Sequence, residues 1–207
     1  MISGFTLAPL FGALVYFGGV MFYSVVGLVG CVALYELYSL ARRTDNTFLW
    51  LVLGAIYIGG SFYSFYILHQ TYSIHLTFLF VFVVWFSDCG AYLMGKIIGG
   101  PKMAKVISPN KTWAGLCGAT VFPGLLFALW AHYMAMLDSV VLGFVIGVGL
   151  GVVGQMGDLL VSFLKRQAQV KDSGVLIPGH GGVLDRIDAM LLVMPIYFLI
   201  IKFYLVG

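Results

Sequence analysis

Ser139–Leu164 reads SVVLGFVIGVGLGVVGQMGDLLVSFL, and Lys165 and Arg166 follow at once. No charged side chain interrupts it before Asp158. About 20 apolar residues carry a helix through the hydrocarbon core of a bilayer. The stretch therefore predicts a transmembrane helix whose polar end stops at the headgroups. Asp158 and Ser162 are four apart and share a face of that helix, with Gln155 close to it. Gly143, Gly147 and Gly151, with Gly154 and Gly157 following, form a ladder of small residues suited to close helix packing.

The same character runs from end to end. The chain is 61% hydrophobic and 9% charged, against roughly 25% charged residues in a soluble domain. The expected fold class is all-α, a polytopic integral membrane protein. Spans are predicted at about 5–17, 20–41, 48–68, 74–95, 112–134, 139–164 and 187–206, about seven in all. They form a single domain over 1–207, with 1–75 as N-terminal scaffold spans and 76–207 as the catalytic portion. The first apolar stretch has no cationic region before it and no convincing cleavage site, so it reads as a retained span. Cys31, Cys89 and Cys117 are far apart and form no CxxC pair, which argues against a disulfide framework or a zinc site. A net charge of +3 and the absence of a basic-aromatic platform give no reason to expect nucleic acid.

Two polar loops separate the spans, at roughly 96–111 and 165–186. Arg42 and Arg43, then Lys96, Lys102, Lys105 and Lys111, then Lys165, Arg166, Lys171 and Arg186, all fall on one side when seven spans are threaded. Only Lys202 of the eleven cations does not. The positive-inside rule makes that side cytoplasmic, so both loops face soluble phosphorylated metabolites.

Polar groups this dense beside a bilayer cost free energy unless they have partners or a substrate. Asp158 is an intramembrane carboxylate. Asp88 repeats the pattern in Ser87-Asp88-Cys89-Gly90-Ala91-Tyr92, where Tyr92 at i+4 is a candidate partner. Asp185 and Asp188 project to one side at the start of the last span, where the helix dipole also favours negative charge. With Asp158 they form a candidate oxygen-ligand set for a hard cation such as Mg2+, with room for a second cation. Gly181 and Gly182, after Pro178-Gly179-His180, allow a backbone to approach an anion at a helix start. His180 is placed to orient a phosphate or transfer a proton. Ser108, Lys111 and Thr112 open another helix from the other loop. They are candidate phosphate donors, although Ser or Thr there is commonly an N-cap. Trp113 reads as an interfacial anchor, and the aromatic stretch from Tyr57 to Tyr72 as lipid contact. Together these features describe a phosphate-and-metal site at a membrane surface.

The run from Ser162 to Asp188 resembles the signature of the phosphatidate cytidylyltransferases, or CDP-diacylglycerol synthases: S-x-x-K-R-x4-K-D-x-G-x3-P-G-H-G-G-x-x-D-R-x-D. Ser162, Lys165, Arg166, Lys171, Asp172, Gly174, Pro178, Gly179, His180, Gly181, Gly182, Asp185, Arg186 and Asp188 match in order and spacing. The Ser87–Tyr92 block and Ser108-Pro109-x-Lys111-Thr112-Trp113-x-Gly115 agree as well. The resemblance covers about residues 80–190. It implies transfer of CMP from CTP to phosphatidic acid, giving CDP-diacylglycerol and pyrophosphate; the compactness of the chain suggests a bacterial inner membrane, although composition does not exclude an organelle. On that basis Asp158 and Asp185 are the principal metal ligands, supported by Asp188 and Asp172. Lys165, Arg166, Lys171 and Arg186 hold the phosphates, and Ser162 orients one of them. A homodimer is compatible with the glycine faces and with the family. Val161 and Ala114 stand where members often carry Glu, Cys89 replaces a common Thr, and Asn110 a common Lys. Among competing readings, a polyprenol kinase also uses CTP. A CDP-alcohol phosphotransferase would need a D-x-x-D-G-x-x-A-R pattern that is absent, and a cation-coupled transporter would not need the one-sided Lys/Arg/Gly cluster.

Overall fold

The computed structural model describes residues 12–13, 15–135, 137, 139–174 and 181–205. Its long helices are α1 (Gly19–Ala41), α2 (Thr47–Thr71), α3 (Ile74–Ile97), α4 (Trp113–Tyr133), α5 (Val140–Gln167) and α6 (Leu184–Ile200). The first five are long and apolar enough to cross a membrane. A π-helical turn, Ile201–Leu205, extends α6. Most of the span expected at 5–17 lies outside the described residues; positions 12–13 and 15–17 are helical. The polytopic all-α class stands, with one addition. The loop after α3 folds into an antiparallel hairpin, β1 (Lys102–Ala104) and β2 (Ser108–Thr112), pairing Lys102 with Thr112 and Ala104 with Ser108.

Several helix starts are capped by the residue that sequence reading would choose. Ser73 Oγ accepts from His75 N at the head of α3, and Ser139 Oγ from Leu142 N at the head of α5. Thr112 Oγ1 accepts from Gly115 N at the head of α4. Each supplies an acceptor to an N–H that the first turn leaves without an intrahelical partner.

Helices in lipid gain little from hydrophobic association, so close packing has to hold them. Glycines make it possible here. A Cβ on Gly118 would overlap the Gly90 carbonyl, and one on Gly151 the Ala119 carbonyl. The ladder on α5 serves two neighbours in turn. Gly143, Gly147 and Gly151 meet α4, whereas Gly154 and Gly157 meet α6, where a Cβ at Gly157 would lie 2.8 Å from Asp188 O. This glycine face is consumed inside the chain and is not presented to a second copy. Beside the inner helix ends, Ala33, Leu37, Leu40, Val161, Leu164, Leu184 and Leu191 form an apolar cluster.

The 28 residues of α5 extend about 42 Å, longer than a hydrocarbon core of about 30 Å. Asp158 lies about 27 Å along it, so its last turns, carrying Ser162 and Lys165, reach the interface. The aromatic stretch of α2 is only partly lipid contact. Tyr63 and Tyr66 are exposed, but Ser61 is buried and donates to Leu191 O, and Tyr57 donates to Asp188 O at 3.4 Å.

Gly118→Ala should lower stability by about 1–3 kcal/mol, the usual range for overpacking. Gly149→Ala, exposed and with nothing within 4 Å of its added methyl, should stay within about 0.5 kcal/mol of the parent. Thermal unfolding in detergent separates the two.

Candidate active site

Four segments meet at one end of the bundle: the hairpin, the C-terminal turns of α5, the 168–174 segment after α5, and the first turn of α6. From α5, residues 155, 158, 162 and 165 form a polar stripe. Ser162 Oγ donates to Asp158 Oδ1 at 3.1 Å, the i to i+4 contact expected from helical period. Lys111 reaches down from the hairpin. Its ammonium lies 2.7 Å from Asp158 Oδ2 and donates to Gln155 Oε1 at 2.9 Å. Asp158 remains about a third exposed, at 32%, so this pairing leaves it accessible.

Further along the stripe Lys165 is buried and paired with Asp185, whose side chain is 8% exposed. The second oxygen of Asp185 accepts from Ser173 N at 2.8 Å, Gly182 N at 3.0 Å and Ser173 Oγ at 3.0 Å. Asp185 is therefore enclosed by donors. Asp188, one turn on, accepts from its neighbour Ala189 N at 2.7 Å. It lies within electrostatic range of Asp158, Asp88 and Lys165. Asp88 on α3 is exposed and interacts with Asp158 and Lys111. Asp88, Asp158 and Asp188 thus repel one another.

The remaining candidates are placed as follows. Arg166 binds backbone carbonyls, donating to Ile107 O at 3.1 Å and Val170 O at 3.3 Å, so it ties the hairpin turn to the end of α5. Lys171, Asp172 and Arg186 are exposed at the rim. Ser108 lies on β2, half-buried, and Thr112 is the buried cap of α4. Gly181 has φ of +79°, a backbone suited to glycine, and an added Cβ would lie 3.0 Å from Asp185 Oδ2. Gly182 has no room for a Cβ beside Ser173 and Glu36. His180 lies outside the described residues. Tyr92 does not pair with Asp88 as expected; its hydroxyl accepts from Lys96 Nζ at 3.2 Å. The two share one face of α3 where the chain leaves the bilayer, so the cation reaches the hydroxyl first. Val161 is 4% exposed in the apolar cluster, so its role is packing.

Two residues were missed. Glu36, 1% exposed on α1, accepts from Val183 N at 2.9 Å and Leu184 N at 2.8 Å. Ser173 Oγ donates to it at 2.8 Å. An acid near the end of an apolar helix, just before Arg42 and Arg43, looks like an ordinary interfacial charge. Ser173 sits inside the signature at a position the pattern leaves open. The segment read as scaffold therefore reaches the site through Glu36 and Tyr57.

The donors suit a magnesium–phosphate complex. They are oxygens, and Asp88, Asp158, Asp185 and Asp188 lie near two ammonium groups, Lys111 and Lys165, a charge balance that a divalent cation would suit. Among the described residues no three His, Cys, Asp or Glu side chains converge as a ready-made metal cage. Mg2+ is usually held by one or two carboxylates together with substrate phosphates.

Fold and site together define a polytopic membrane enzyme with a cluster of charged side chains at one end of its bundle. Residues 44–204 match the cytidylyltransferase family, and the chain belongs to it. The phosphatidate cytidylyltransferase of Bacillus subtilis (strain 168) is 39% identical over 183 residues, covering 83% of this chain and 68% of that protein. That of Rickettsia bellii (strain RML369-C) is 35% identical, covering 99% and 90%. The Rickettsia prowazekii (strain Madrid E) protein of the same name is 35% identical, covering 97% and 90%.

Lys165→Met should destabilise the protein by about 3–5 kcal/mol, because it strands the Asp185 carboxylate in a buried site. Adding Asp185→Asn should recover more than half of that loss, since the amide oxygen can still meet the Ser173 and Gly182 N–H groups. Thermal unfolding of the two variants reads the difference.

Proposed function

We propose that this protein transfers CMP from CTP to phosphatidic acid, releasing pyrophosphate and leaving CDP-diacylglycerol in the membrane. The observation that carries the reading is the convergence of Asp88, Asp158 and Asp188 with the ammonium groups of Lys111 and Lys165 at one end of a membrane bundle. A phosphate oxygen of the lipid attacks the α-phosphorus of CTP, and the bond from that phosphorus to the oxygen bridging the β-phosphorus breaks. Both reactants are anionic, so the site has to neutralise and align them. The lipid phosphate is already ionised near neutral pH, so no general base is required.

Lys111 and Lys165 supply positive charge within the site, with Lys171 and Arg186 at its rim. Arg166 fixes the hairpin that delivers Lys111. Asp158, about a third exposed, is the candidate Mg2+ ligand, with Asp188 and Asp88 beside it; its two oxygens are held by Ser162 and Lys111, so it would take the ion as Lys111 turns to substrate. Asp185, with every oxygen already met by a donor, organises the loop and serves as a ligand only if Lys165 moves to substrate. Bound Mg2+ would offset phosphate charge and polarise the transferring phosphoryl group. Ser162 keeps Asp158 oriented. By the positive-inside rule the clustered cations support a cytoplasmic position for the site, where CTP is dissolved.

The purified protein in mild detergent, supplied with CTP, Mg2+ and phosphatidic acid, should yield CDP-diacylglycerol and pyrophosphate in equal amounts. Asp158→Asn and Asp188→Asn should each lower kcat/KM at least about 100-fold, the scale of losing one electrostatic contact in a transition state. They should also raise the Mg2+ concentration needed for half-maximal rate. A folded wild-type protein that makes neither product would overturn the reading.

A further inference from the structure

Glu36 lies outside the residues that match the family, which begin at 44. It is nevertheless enclosed by the catalytic loop. We propose that Glu36 is a positioning residue for cytidylyl transfer, clamping the start of α6 so that Asp185 is presented to Lys165. The inference rests on the reaction proposed above.

The first turn of α6 has no side-chain cap of its own, because Val183 occupies the cap position. Glu36 supplies the cap from 147 residues away, with Oε1 accepting from Val183 N and Oε2 from Leu184 N. A hydroxyl at position 183 would serve a helix that needed only stability. A buried carboxylate is a costlier solution unless all its oxygens are met, and here they are. The second link runs through Ser173, whose Oγ lies 2.8 Å from Glu36 Oε2 and 3.0 Å from Asp185 Oδ2. That hydroxyl has one proton to place between two carboxylates, so the positions of Glu36 and Asp185 are coupled. Gly174 and Gly182 complete the enclosure. A Cβ on Gly174 would lie 2.6 Å from Glu36 Oε1, and one on Gly182 would lie 2.5 Å from Oε2.

Glu36→Gln keeps the size of the side chain but sets an NH2 donor against either Val183 N–H or Leu184 N–H, whichever way the amide turns. We expect kcat to fall roughly 10- to 100-fold, as for lost support of a catalytic group, with KM for CTP nearly unchanged. Hydrogen exchange at the Val183 and Leu184 amides should quicken in the same variant, a readout that needs no substrate. Gly174→Ala should slow turnover similarly, because its methyl takes the space of the carboxylate. On a Glu36→Ala background the same change should cost nothing further. Wild-type kcat and wild-type amide protection in Glu36→Gln, or independent multiplying losses in Glu36→Ala/Gly174→Ala, would overturn the clamp. An inactive wild-type protein would instead sink the cytidylyl-transfer reading, and the exchange experiment would still judge the clamp.

Discussion

A charge at the edge of a hydrocarbon layer persists only where partners replace the water it has lost, and the Lys165–Asp185 pair meets that condition for two helices at once. Lys165 ends the long stripe of α5, and Asp185 begins α6. Their contact requires the 168–174 segment to bring Ser173 under Asp185. It also requires α6 to lie close enough to α5 that only glycine fits at position 157. The glycine ladder, the cap on α6 and the rim of cations are arranged around this pairing. Replacing such a pair by apolar residues often leaves a protein no less stable. Its value here lies in placing an ammonium group within electrostatic range of Asp188 as well.

Charge alternates through the site. Lys111 pairs with Asp158 and also acts on Asp88, and Lys165 pairs with Asp185 and also acts on Asp188. Each ammonium group is thus available to phosphate oxygens only by loosening its grip on a carboxylate. Each carboxylate so released is available to a cation that travels with those phosphates.

What could be read from the sequence was local or long. The Asp158–Ser162 contact follows from helical period alone, and the glycine ladder from spacing. The run from Ser162 to Asp188 is extended enough to name a family unaided. Contacts between distant segments were not legible. Nothing about Lys111 points to Asp158, 47 positions later, because the hairpin that aims it contains Pro109 and reads as a loop. Tyr92 was assigned to the wrong neighbour since Asp88 at i−4 and Lys96 at i+4 are equally spaced from it. Glu36 carried no signal, being one acid among apolar residues, with its partners among the described residues all beyond position 172.

The distance between Glu36 and its partners also has a meaning in time. The helix bearing this carboxylate is made early, and the amides it serves are 147 residues further along. At about 5–20 residues per second, roughly 7 to 30 s pass on the ribosome before they exist. During that interval α1 carries an acid with no permanent partner, which holds its inner end near water. The final seating of the first described long helix is thereby tied to arrival of the last, and assembly of the bundle closes at the catalytic loop.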